Sequence, residues 1–104
     1  MVEIERSSMT DVQVVHNEDK HRFEVNLDGK VAHADYTPGS GGKVMVITHT
    51  EVPDEFEGQG VGSKLARFAL DYARDNGLRV QPLCPFVRSY IERHPEYKDL
   101  TTAY

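Results

Sequence analysis

The chain predicts an α+β (mixed α/β) domain with elements in the order β-β-β-β-α-β-α. Three observations carry this. Residues 12–50 fall into short runs rich in Val, Phe, Ile and Thr, separated by Asp28-Gly29 and by Thr37-Pro38-Gly39-Ser40-Gly41-Gly42, the punctuation of strands and turns. The period then changes: from Val61 to Asn76 the apolar positions are 61, 65, 68, 69, 72 and 73, one face of a helix. Beyond Gly77 one more short apolar run leads into a second helical stripe.

Taken in order, residues 1–11 are polar and read as a flexible N-terminal segment, and 12–16, Val-Gln-Val-Val-His, as a short strand. Asn17 to His21 is a charged turn. Residues 22–27 alternate, with Phe23, Val25 and Leu27 on one face of a half-buried strand. Asp28-Gly29 is a two-residue hairpin turn, and 30–36 pair back. Residues 37–42 are expected as a turn or flexible tip. In 43–50, Val44, Met45, Val46 and Ile47 are apolar on both faces, as in a central strand. On the helix that follows, Lys64, Arg67, Asp71, Arg74 and Asp75 take the polar face, and Gly77 stands where a left-handed C-terminal cap belongs. Residues 78–83 form a strand. Pro85 suits the first turn of a second helix striped by Phe86, Val87, Tyr90 and Ile91, and Pro95 stops it near His94. The domain is expected over 12–100, with 101–104 a tail.

At 104 residues the chain is one domain, able to hide roughly two-thirds of its unfolded surface. It has no 18-residue apolar run and no signal-like segment, so no membrane or export role is expected. The single cysteine, Cys84, cannot close an internal disulfide, which suits a reducing, cytoplasmic setting. A formal charge of −5 without a basic run argues against nucleic acid as a partner.

The segment richest in chemical meaning is Glu57-Gly58-Gln59-Gly60-Val61-Gly62-Ser63-Lys64. Alternate glycines let the backbone approach a ligand closely. The helix that starts behind them offers unpaired N–H groups and a positive dipole end, a cradle for phosphate or pyrophosphate. A flexible loop is the plain alternative. The Walker pattern does not fit, because Gly62 is followed by Ser63 and then Lys64 and the first glycine is misplaced. The dinucleotide pattern does not fit either: Ser63 stands at its third glycine, and Arg79 to Pro82 supplies no acid.

A third pattern matches. Glu57-Gly58-Gln59-Gly60-Val61-Gly62 resembles the pyrophosphate-binding motif [Q/R]-x-x-G-x-[G/A] of the GCN5-related N-acetyltransferases, with Glu57 in place of Gln or Arg. The resemblance continues through Ser63-Lys64-Leu65, Gly77-Leu78-Arg79-Val80, His49-Thr50-Glu51-Val52-Pro53, Leu83-Cys84-Pro85-Phe86-Val87 and Tyr90 to Tyr97, and spans about residues 12–100. It looks like a small subgroup of about this length. It implies a minimal acetyltransferase fold that binds acetyl-CoA and passes acetyl to an amine. Its pyrophosphate would rest on the backbone of Glu57, Gly58, Gln59, Gly60, Val61, Gly62 and Ser63. The pantetheine arm would pair with the strand ending at Thr50 and Val52. The thioester would sit where strands 43–50 and 78–83 splay.

Such chemistry needs a base, an oxyanion donor and an acid. Glu51 is the candidate base, its alternative being a solvated strand-end carboxylate. His49 shares its strand face and is either a second base or a structural histidine. A backbone N–H near Thr50–Val52 would meet the oxyanion. Tyr90 is the candidate acid for the leaving thiolate, or a packed aromatic. Cys84, at a helix start, is either a covalent acetyl carrier or a small buried hydrophobe. His49-x-Glu51 also opens the zinc-deaminase signature, but that needs a second cysteine; the other histidines lack ligand spacing, so no metal is expected. Ordinary members of the family carry one or two helices between the first two strands, and here only Asn17 to His21 intervene. The acceptor side should therefore be open, suiting a protein or peptide amine. A non-catalytic CoA-binding module is the rival expectation. One exposed sheet edge leaves the chain a monomer or weak dimer.

Overall fold

The computed structural model describes residues 13–27, 29–56, 58 and 60–101; the expectations placed on 1–11, Asp28, Glu57, Gln59 and 102–104 lie outside these. Five strands form one mixed sheet in sequence order: β1 (Val15–Asn17), β2 (Arg22–Leu27), β3 (Lys30–Gly39), β4 (Val44–Glu51) and β5 (Arg79–Pro82). The first four are antiparallel neighbours, and β5 joins β4 in parallel after the crossover helix α1 (Val61–Asp75). Helix α2 (Pro85–Arg93) and a 3-10 helix over Pro95–Leu100 complete the fold. The expected order β-β-β-β-α-β-α is the observed one.

Several boundaries moved, each for a local reason. The first strand is Val15–Asn17, not 12–16. Its register is set by a histidine: the His16 ring stacks on Phe23 at 4.3 Å, and its Nε2 lies 2.6 Å from the Tyr36 hydroxyl. Burial pushes the His16 pKa down. Residues 37–39, expected as a loose tip, extend β3 by pairing with Val46, Met45 and Val44. Pro38 is tolerated because β2 pairs no further than Asp35, so its missing N–H faces no strand. The turn proper is a 3-10 step over Ser40–Gly42, in which Gly41 and Gly42 have positive φ.

Helix α1 ends in a Schellman motif. Leu78 N–H donates to Ala73 O at 2.8 Å and Gly77 N–H to Arg74 O at 3.3 Å, with Gly77 at φ 69°. Its buried face is Val61, Gly62, Leu65, Ala66, Ala69, Leu70 and Ala73. Phe68, expected on that face, is 41% exposed and rests at its margin against Phe23. The alanines share one buried core with Ala32 and Ala34 of β3, and small residues on both sides let helix and sheet approach closely. Val87 and Ile91 of α2 close the same core.

The C-terminal segment, illegible in the sequence, is anchored by Tyr97. Its ring is buried under the Arg74 guanidinium, and its hydroxyl donates to Asp71 Oδ1 at 2.7 Å. Burial, followed by the Asp71 bond, pushes the phenol up to about 12. The unfolded phenol titrates near 10. The stability gained by keeping it neutral is therefore fully present below pH 10 and is lost as pH rises to 12, by about 2–3 kcal/mol for a two-unit shift. Tyr97→Phe is expected to cost about 1–2 kcal/mol at pH 7 and to lack that alkaline decline. Urea unfolding at pH 7 and between pH 10 and 12 checks both; parallel curves for the two proteins would refute the Tyr97–Asp71 account.

Candidate active site at the mouth of the β4–β5 splay

The glycine segment builds a helix start without a side-chain cap. Gly60 is the N-cap of α1 in the left-handed region (φ 78°, ψ 12°), and Gly58 has φ 82°. The first helical bond runs from Lys64 N–H to Gly60 O at 3.0 Å. The N–H groups of Val61, Gly62 and Ser63 precede that bond, so they have no intrahelical acceptor. Among the described residues no side chain caps them and no acidic residue sits in the first turn, so the positive end of the dipole is left for an anion. Gly62 is needed for space: a Cβ there would stand 2.8 Å from Phe86 Cζ. The start of α2 thus lies directly on the start of α1.

Strand β4 supplies the other wall. Its pairing with β5 stops at Ile47–Pro82, where Leu83 and Cys84 N–H both donate to Ile47 O at 3.0 and 3.1 Å. The chain then turns into α2, while β4 runs on to Glu51 paired, among the described residues, only with β3. Thr48 is an extra residue in that ladder, because His49 faces Asp35 and Ile47 faces Tyr36. The bulge reverses the alternation, so Thr50 joins the face of Ala34 while His49 and Glu51 take the opposite one. Cys84, buried at the N-cap of α2, donates its S–H to Thr50 Oγ1 at 3.3 Å. Between these walls lies a groove of about 600 Å³, lined by Thr50, Glu51, Val52, Phe56, Gly58, Gly60, Val61, Gly62, Ser63 and Phe86. That volume is within the usual range for ligand sites.

The family model of the GCN5-related N-acetyl-transferases matches residues 22–100. The chain belongs to this family. Among its relatives are the proteins NATD1 of Gallus gallus and Xenopus tropicalis, each 31% identical over 88 residues, covering 81% of this chain and 77% and 78% of theirs. NATD1 of Homo sapiens is 30% identical over 88 residues, covering 81% and 75%. A GCN5-like protein of Staphylococcus aureus, solved in solution by NMR, superposes with a TM-score of 0.70 at 28% identity, covering 88% of this chain and 89% of that one. The GCN5-related fold is therefore shared by sequence and by shape.

Set in this acetyltransferase fold, the sequence-derived residues separate into groups. Thr50, Val52, Gly58, Gly60, Val61, Gly62 and Ser63 line one groove; Glu57 and Gln59 are outside the described residues. Glu51 also lines it, and Cys84 touches it through Thr50. His49 is one step outward, its Nε2 3.5 Å from Glu51 Oε1. Tyr90 is not brought to the groove. It stacks on His94 at 4.1 Å, in the seam between α2 and Tyr97, near Arg67 and Asp71 of α1, and burial pushes its phenol up. Phe56 and Phe86 were missed as groove walls; the spacing of Phe86 from Pro85 was legible, but not its contact with Gly62. Among the described residues no group of three or more His, Cys, Asp or Glu is placed to hold a metal ion, and no helix is long and apolar enough to cross a membrane.

Proposed function

We propose that this N-acetyltransferase uses acetyl-CoA as donor and an amine, on a protein or peptide, as acceptor. The observation that carries the reading is the uncapped start of α1, opening into the same groove as the free edge of β4. The fit is one of shape and charge: backbone donors at a dipole end suit a pyrophosphate, and an unpaired strand edge suits an amide-bearing arm. Bound acetyl-CoA supplies an activated acyl group as its thioester. The chain's residues do the rest. Val61, Gly62 and Ser63 N–H groups hold the pyrophosphate. The β4 edge beyond Ile47 orients the arm and offers an N–H to the developing oxyanion. Glu51 takes a proton from the acceptor ammonium, directly or through one water. Tyr90 keeps a packing role in this reading.

The test is a titration of acetyl-CoA and CoA into the labelled chain. Amide shifts centred on Gly58, Gly60–Ser63 and His49–Val52 are expected, and no binding at millimolar ligand would overturn the donor. A thiol route is the second reading, favoured by the place of Cys84 at the splay. It requires Cys84 to carry acetyl and gives ping-pong kinetics. Direct transfer does not require the thiol, so Cys84→Ala is expected to keep kcat within about threefold. An acetylated Cys84 intermediate by mass spectrometry, together with a dead Cys84→Ala enzyme, would replace direct transfer by the thiol route.

A further inference from the structure

The sheet face opposite the helices carries a charge pattern that no single segment reveals. On β2, β3 and β4 it presents Arg22 and Glu24, His33 and Asp35, His49 and Glu51, each pair two residues apart. Across the strands Arg22 faces Asp35, which faces His49; Glu24 faces His33, which faces Glu51. Carboxylates alternate with arginine or histidine in both directions, an arrangement suited to cross-strand pairing. Within it Glu24 is committed to Arg22 and Asn17: the Arg22 bond, ahead of the other influences, holds its carboxyl below the usual range.

The remaining four groups form a chain leading away from the groove. His33 Nδ1 lies 2.8 Å from Asp35 Oδ1, so the Asp35 carboxylate accepts the Nδ1 proton and leaves Nε2 with a lone pair. That Nε2 is 4.0 Å from Glu51 Oε1, and the same oxygen is 3.5 Å from His49 Nε2. His33 is the enclosed member, with 17% of its side chain exposed against 59% for His49 and 64% for Glu51. An imidazole oriented by a carboxylate is the base–orienter half of an acid–base site; its Nε2 stands 4.0 Å from Glu51 Oε1, beyond hydrogen-bond reach, so a turn of the exposed Glu51 side chain must bring the two together.

We propose that His33, held by Asp35, is a positioning residue that drains the proton collected by Glu51. This rests on the reading of Glu51 as the base of amine acetylation. One proton leaves the acceptor ammonium for the Glu51 carboxylate. Once the exposed Glu51 side chain has turned to close the 4.0 Å gap, the proton passes to His33 Nε2, giving an imidazolium paired with Asp35, and from there to solvent, which returns Glu51 to its carboxylate for the next turnover. No oxidant, metal or further reactant enters. The second amine proton, released as the C–N bond forms and the C–S bond breaks, ends on the departing sulfur.

Two measurements on the full chain test this. The first needs no turnover: imidazole nitrogen shifts of neutral His33 are expected to show the Nδ1–H tautomer, and Asp35→Asn is expected to lose that preference. A His33 protonated on Nε2 would overturn the relay. The second uses acetyl-CoA with a lysine peptide and with spermidine as acceptors. His33→Gln is expected to lower kcat about tenfold or more, with the Kd for acetyl-CoA unchanged, and imidazole in the buffer is expected to restore part of the rate in His33→Ala. Wild-type kcat in His33→Gln overturns the relay alone. A wild-type chain that binds acetyl-CoA but releases CoA with neither acceptor overturns the proposed function and the relay with it.

Discussion

Gly58→Ala combined with Gly60→Ala is expected to weaken acetyl-CoA binding about 100-fold, measured by calorimetry below the melting transition. Both glycines sit at positive φ, and Gly60 is left-handed at the mouth of α1. A Cβ at either site meets nothing within 4 Å, so the effect is conformational and not steric. An L-residue held in the left-handed region costs about 1–2 kcal/mol. Two of them make the cradle conformation about 2–4 kcal/mol harder to populate, and affinity falls in proportion to the competent fraction. The control is Gly29→Ala. Gly29 also has positive φ (79°) and open space around it, but it lies in the β2–β3 hairpin turn. It should lower stability by a similar amount per residue and leave the Kd alone. A double variant that binds within about threefold of wild type would show that the α1 start does not hold the ligand.

That prediction uses a feature the sequence displayed openly, and the reason is locality. The glycines, the helix behind them and the cap at Gly77 are set by residues a few positions apart. The glycine run before a helical period therefore picked out Gly58, Gly60, Val61, Gly62 and Ser63 before any tertiary contact was known, while Thr50, Glu51 and Val52 came from the family resemblance. What the sequence concealed depends on register. His33 and Asp35 acquire meaning only when β3 and β4 pair with His33 opposite Glu51, and that alignment includes the Thr48 bulge, which no periodicity signals. Phe86 lies on Gly62 because two helix starts cross, a contact between residues far apart in the chain. Phe68 shows the converse: its spacing fits the buried face, but Ala66 and Leu70 occupy the centre of that face and leave the larger ring at the rim. Tyr97 was uninterpretable alone, since its anchor is Asp71 on another helix.

Glu51→Gln is expected to reduce kcat by about 100-fold or more while leaving the Kd for acetyl-CoA within about twofold, the range lost when a general base is removed. The substitution keeps size and leaves a carbonyl acceptor, but an amide cannot accept a proton at neutral pH. Three facts single out Glu51. Among the described residues that line the groove it alone is titratable. It follows the bulge that turns His49 and Glu51 to the face opposite Thr50 and Cys84, so donor and acceptor sides are served by neighbouring residues of one strand. And two imidazoles lie beside it, His49 Nε2 at 3.5 Å and His33 Nε2 at 4.0 Å from its Oε1. His49, more exposed and outside the lining, should matter less: His49→Gln is expected to cost under about tenfold. CoA release with the lysine peptide, followed across pH for wild type, Glu51→Gln and His49→Gln, separates the cases. Equal rates for Glu51→Gln and wild type would move the base to water or to another side chain. A larger loss in His49→Gln than in Glu51→Gln would exchange their roles, making the carboxylate the orienting group and the exposed imidazole the one that meets the amine.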